Sequence, residues 1–175
     1  MVPEKYIADF VKANIDYLHK KDLEGMYALL EYYDRKHLTQ LLMDVGIDPL
    51  KYVVKIPKGY ASTLPIETIK FSKKNKVIGA KAFSNCDLLE ELTIPEGIEL
   101  IGVLSFFACS NLNVVHLPKS LKTLSRRAFE GCTQIDEITF AGTMEEFEEL
   151  SPGDAFPPNV ANQITVRCSD GEASI

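Results

Sequence analysis

The feature that most limits what this chain can become is a spacing: Cys86 to Cys109 and Cys109 to Cys132 are both steps of 23 residues. Each cysteine carries its surroundings with it. Ile78, Ile101 and Leu124 precede Ala82-Phe83, Ser105-Phe106 and Ala128-Phe129. After the cysteines come Leu89, Leu112 and Ile135, then Leu92, Val115 and Ile138, and Ile94, Leu117 and Phe140 close the units. Stepping back 23 residues from the first unit reaches Gly59-Tyr60, Ile66, Ile69 and Phe71, a degenerate opening repeat with Thr63 at the cysteine position. A unit of this length cannot bury its apolar face alone, so successive units must stack into one continuous core.

Within a unit, Glu91-Leu92-Thr93-Ile94 alternates, which sends Leu92 and Ile94 inward and Glu91 and Thr93 outward on a strand. Three to four such strands, about 4.8 Å apart, make a short parallel sheet, and a return segment holding a helical turn is expected between them. Both ends of such a stack expose core and need caps. Residues 3–46 carry helical stripes, with Asp22 placed to cap the second helix and Gly46 to end the third. Asp48-Pro49-Leu50-Lys51-Tyr52 can start one more turn. At the other end Thr143 can cap a short acidic helix through Leu150, and Ile164 to Val166 read as a closing strand.

The pattern Ile-Gly-x-x-Ala-Phe-x-x-Cys-x-x-Leu-x-x-Leu-x-Ile-Pro-x-x-Ile resembles the BspA-type (Treponema-type) leucine-rich repeat, over roughly residues 54–147. It departs from the commoner repeat that places Asn or Cys after the strand. The tail, Gly142-Thr143-Met144-Glu145-Glu146-Phe147 and later Ile164-Thr165-Val166-Arg167-Cys168-Ser169-Asp170-Gly171, is similar to that family's usual ending. The resemblance implies an α/β fold: a right-handed solenoid with a short parallel sheet. It divides the chain into a helical cap over 1–53, about three and a half repeats over 54–147, and a C-terminal cap and tail over 148–175. Family members are mostly surface adhesins with signal peptides, but short forms with helical N-termini and no signal also occur in phage and prophage genomes. The chain is similar to the second kind. This implies non-enzymatic protein binding, with a phage-encoded host-factor or defence interactor as its narrower form, and a self-assembling or adhesin-like role as the alternative.

Composition narrows the partners. Nineteen basic against twenty-five acidic residues give a net charge of −6, and no long Lys/Arg run occurs, which points away from nucleic acid. No signal-peptide core and no apolar stretch of membrane-spanning length is present, so the expectation is a cytoplasmic setting, without membrane contact, in which the four thiols stay reduced. Charge is nonetheless segregated. Residues 70–81 hold Lys70, Lys73, Lys74, Lys76 and Lys81 with no acid, whereas residues 137–175 are strongly acidic against a single Arg167.

No catalytic residue, metal ligand set or cofactor motif is assigned. His19, His37 and His116 lie in different elements, and the cysteine ladder lacks the local pairs that zinc sites use. Its three thiols read as small core residues, with Cys168 outside the register. The binding candidates are the residues that alternation turns outward on the concave face: Thr68, Lys70, Glu91, Thr93, Val114, His116, Glu137 and Thr139. Glu91 and Glu137 stand in rows beside His116, where a carboxylate could support the imidazole. A second candidate is an apolar patch on the convex side. Val103, Leu104 and Phe107 occupy positions held by Ala80, Lys81 and Ser84 in the first repeat and by Arg126, Arg127 and Glu130 in the third. Such a patch suits a protein partner or a second copy of the chain.

Overall fold

Two-residue β pairings alternate with longer ones along the chain. The computed structural model describes residues 39–40, 43–44, 48–51, 53–158 and 164–174. The helical stripes expected over residues 3–46 lie almost entirely outside the described residues, as do His19 and His37. The expected turn at Asp48–Tyr52 forms as a 3-10 helix over Pro49–Lys51.

Each coil has three sides. The short side is a strand of two residues: β1 (Lys55–Ile56), β2 (Val77–Ile78), β4 (Leu100–Ile101) and β6 (Thr123–Leu124) pair in parallel in the order β1-β2-β4-β6. The long side holds β3 (Glu91–Thr93), β5 (Val114–Leu117) and β7 (Glu137–Phe140), again parallel. Its register places Glu91 beside Val114 and Val114 beside Glu137. The expected sheet is therefore present, but the return segment holds a second parallel sheet in place of the expected helical turn.

The third side explains that difference. Lys81, Leu104 and Arg127 take left-handed backbone angles, and so do Asn85, Ala108 and Gly131 four residues later. A helix needs an unbroken right-handed run, which two left-handed residues four positions apart forbid. The segment instead hydrogen-bonds coil to coil. The N–H groups of Lys81, Phe83 and Asn85 donate to the carbonyl oxygens of Val103, Ser105 and Phe107, and those of Phe106 and Ala108 donate to Ala128 and Glu130.

Beneath this ladder lies the core that the repeat encodes. Phe83, Phe106 and Phe129 are fully buried and stack face to face at 5.5 and 5.2 Å. Phe156 extends the column at 5.0 Å, so the final coil rejoins the register after a longer excursion. Cys86, Cys109 and Cys132 are buried and free. Each thiol donates to a carbonyl of the preceding coil, those of Ala61, Phe83 and Phe106 respectively. A cysteine thus fills a small apolar site and caps an inward carbonyl, which Ala or Val could not do. Contact with Cys109 together with burial pushes the Cys86 and Cys132 thiols up. The Cys109 Sγ–H between them is likewise committed to a carbonyl, that of Phe83 at 3.2 Å. In the native protein an aromatic disulfide reagent is expected to modify Cys168 first. The three core thiols should react only as fast as the chain unfolds, and rapid modification in a Cys168→Ser background would refute the packing.

The same hydrogen bonds correct the alignment of the first coil. Gly59, Ala61 and Thr63 donate to Ala80, Ala82 and Ser84, and β1 pairs Lys55 with Val77, so the first step is 22 residues rather than 23. Leu64, not Thr63, therefore stands at the cysteine position, and Thr63 matches Asn85 in its left-handed angle. The missing residue falls between Leu64 and Val77, where a long-side strand would otherwise lie. A one-residue offset turns inward side chains outward, and residues 66–71 accordingly form no strand. Asn75 ties off this irregular coil. Fully buried, it donates from Nδ2 to the Leu50 and Val53 carbonyls at 2.9 and 2.6 Å, and its Oδ1 accepts the Ser72 N–H.

One core position is strained chemically. Ser105 occupies a site that is alanine in the flanking coils, Ala82 and Ala128, and its hydroxyl is fully buried with no hydrogen-bond partner among the described residues. Ser105→Ala is expected to stabilise the protein by about 1–2 kcal/mol, measured as a higher urea midpoint at unchanged m.

The C-terminal end is closed as the sequence suggests, and further. Thr143 caps helix α1 (Met144–Glu149) in a reciprocal capping box with Glu146. The Thr143 N–H and then Lys119 hold the Glu146 carboxyl below the usual carboxylate range. Phe147 packs on Phe140 with ring centres 5.6 Å apart. The expected closing strand is β8 (Thr165–Cys168), parallel to β7, and an unforeseen β9 (Gly171–Ser174) folds back antiparallel on it.

Candidate binding surface

Alternation along the long sheet projects two rows outward, polar except at Val114. One runs Glu91, Val114, Glu137 and Thr165; the other runs Thr93, His116, Thr139 and Arg167. Between them lies a linked set of side chains. The His116 imidazole meets Thr139 Oγ1 through Nδ1 at 2.7 Å and Glu91 Oε1 through Nε2 at 3.3 Å. Two coils further on, Arg167 donates from Nη1 to Glu137 Oε1 at 2.6 Å, and its Nε lies 3.5 Å from Glu172 Oε2.

These contacts define what the surface can do. The imidazole is supported by a carboxylate, as its row predicts, but its second nitrogen meets a threonine hydroxyl, and the pair is arranged to hold the ring still. Ion pairs this exposed contribute only about 0–1 kcal/mol to stability each. Their consequence is linkage: outward side chains of neighbouring coils meet across the sheet, with the His116 ring contacted at both of its nitrogens. Among the described residues, no group of three or more His, Cys, Asp or Glu side chains is arranged to hold a metal ion.

Of the expected concave residues, Glu91, Thr93, Val114, His116, Glu137 and Thr139 share this face. Lys70 does not join them. It is exposed beside a hollow of about 160 Å³ that reaches down to Tyr60 and Phe83, and the irregular first coil keeps it and Thr68 out of the sheet. Arg167, Thr165 and Glu172 belong to the face and escape the repeat pattern, because β8 pairs with β7 28 residues on, outside the 23-residue period. The signal that could find Arg167 is the closing strand itself, whose alternation turns it outward.

The apolar patch is smaller than its residues suggest. Val103 is 42% exposed, but Leu104 and Phe107 are half-buried. Arg126 and the ion-paired Arg127 and Glu130 lie on its C-terminal flank, Ala80 and Lys81 on the other. Cys168 is half-buried with its sulfur 4.0 Å from Met144 Sδ, and burial together with Asp170 raises its pKa. No helix among the described residues is long and apolar enough to cross a membrane.

A leucine-rich cell surface protein from Faecalibacterium prausnitzii A2-165 is 22% identical with a TM-score of 0.49, over 57% of this chain and 29% of that one. A leucine-rich repeat protein from Bacteroides ovatus ATCC 8483 is 28% identical with a TM-score of 0.39, over 51% of this chain and 29% of that one. The chain thus spans less than a third of the length of these structures. Among curated proteins, none matches. The sequence model of the BspA type leucine-rich repeat region matches residues 55–151 in six copies. That span holds Phe83, Phe106 and Phe129, the cysteine row and most of the turn ladder, and the chain belongs to the BspA-type leucine-rich repeat family.

Proposed function

We propose that this protein is a non-enzymatic binding module that recognises a protein partner with the outward face of its long sheet. The observation that carries the reading is the ordered polar lattice there, Glu91 to His116 to Thr139 and Glu137 to Arg167 to Glu172. A surface whose backbone is already held strand to strand loses little conformational entropy on binding, which is the physical advantage of a repeat sheet. Repeat proteins of this type serve as interaction or cell-surface modules, and the reading agrees with that family role. Its narrower form, a host-factor or defence-system partner met in the cytoplasm, is supported by the resemblance of the helix-patterned N-terminal sequence to phage-borne members of the family.

The test is co-purification of the tagged full chain from a bacterial lysate, with mass-spectrometric identification of what is retained. A saturable protein partner is expected, and the double variant His116→Ala, Arg167→Glu should lower its capture by about tenfold while leaving the urea midpoint close to that of the parent. Recovery of no saturable partner, or capture untouched by the double variant, would remove this face as the binding site.

A further inference from the structure

The long sheet begins one strand late. The short sheet starts in the first coil with β1, but on the long side the first coil contributes no strand, and β3 is the outermost member. The bonds that flank the β3–β5 pairing fall at Glu90 and Ile94: Asn113 donates to the Glu90 carbonyl and Ile94 donates to the His116 carbonyl. Strand alternation therefore turns the N–H and C=O groups of Glu91 and Thr93 the other way, toward residues 66–71. No backbone hydrogen bond joins those residues to β3 among the described residues. Between the two runs a groove of about 530 Å³, walled by Glu67, Thr68 and Ile69 and by Glu90 to Thr93. At its end Leu88 is 47% exposed.

The cause is the missing residue in the first coil. With one residue fewer between Leu64 and Val77, this segment cannot both point Ile69 inward and reach bonding distance of β3. What remains among the described residues is an open strand edge with a polar wall facing it, a site for strand addition. Its charge is of one sign. Every titratable residue lining the groove, Glu67, Glu90 and Glu91, is acidic.

We infer that the groove takes an extended, basic peptide segment of a partner protein, which adds to β3 as the missing first strand and sets Lys or Arg side chains among Glu67, Glu90 and Glu91. The inference rests on the protein-binding reading above and names how and with what chemistry one partner segment is held. Main-chain bonds to Glu91 and Thr93 supply the fit, and the carboxylates select the charge.

The probe is a synthetic peptide, acetyl-Val-Lys-Val-Lys-Val-Lys-Val-amide, added to the isotopically labelled full chain. Saturable binding is expected, with slowed amide exchange at Glu91 and Thr93. Methylating alternate backbone nitrogens of the peptide, or the variant Thr93→Pro, which removes an edge N–H that β5 does not use, should weaken binding by about tenfold or more. Glu91→Lys should do the same and keeps every backbone group, so a folding defect in the proline variant leaves the test intact. Four results would overturn the inference: no binding at millimolar peptide, equal binding of the Glu-for-Lys peptide, indifference to backbone methylation, or Glu91 and Thr93 amides already protected in the free protein, whether by its own chain or by a second copy. A lysate partner whose capture depends on Arg167 but not on Thr93 would sink strand addition and leave the binding function standing.

Discussion

Phe106→Ala is expected to destabilise the protein by about 4 kcal/mol, a large part of the stability of a domain this size. Phe106 is fully buried and sandwiched between Phe83 at 5.5 Å and Phe129 at 5.2 Å, with interplanar angles of 9° and 7°. Truncation there removes apolar burial and both stacking contacts, and it leaves a cavity that neighbouring coils, fixed by three hydrogen-bonded sides, cannot collapse to fill. Because a solenoid holds together coil by coil, the loss also cuts the coupling between its two halves. Urea unfolding should therefore show a lower midpoint together with a reduced m, as the halves begin to separate. Phe156→Ala, at the end of the column with one stacked neighbour, should cost less. Equal costs at the two positions would show that the column is not the continuous core described above.

The second large effect comes from space rather than conformation. A Cβ added at Gly79 would lie 2.3 Å from the Ile56 carbonyl oxygen, and one at Gly102 would lie 2.7 Å from that of Ile78. Both oxygens accept the N–H of the glycine concerned, so neither can move away without losing that bond. Gly79→Ala and Gly102→Ala are each expected to cost about 3 kcal/mol. Gly153→Ala, with nothing within 4 Å, is the control and should change stability by less than about 0.5 kcal/mol. Gly79 and Gly102 follow the inner strands β2 and β4, and the equivalent positions after the edge strands β1 and β6 are Pro57 and Ser125. Wild-type stability in Gly102→Ala would mean that the inner coils are looser than their hydrogen bonds require.

The repeat made the core readable from the residues alone, because every buried Phe, Cys and Leu recurs at a constant interval. Features that break the interval were hidden. Val77–Ile78 and its equivalents are two residues long, too short for alternation to announce a second sheet. The deletion in the first coil passed unseen because Tyr60, Ile66, Ile69 and Phe71 match Phe83, Leu89, Leu92 and Ile94 at an unbroken step of 23. The last coil, being longer, concealed that Phe156 and Arg167 return to the phenylalanine column and the polar row. The surroundings of His116 were half legible. Register placed Glu91 nearby, but the Thr139 contact that fixes the ring depends on side-chain geometry.

The turn ladder has an electrical consequence. Its bonds between coils all run the same way, each N–H donating toward the C-terminal end of the stack and each carbonyl accepting from the N-terminal side. The peptide units concerned, each a dipole of about 3.5 D, therefore add along the stack axis as they do in a helix. Their positive pole faces the coil bearing Asp154, Glu145, Glu148 and Glu149, and their negative pole faces the first coil, with Lys55, Lys58, Lys73 and Lys74. The segregation of charge along this sequence is thus the arrangement that an axial backbone dipole favours at both of its ends.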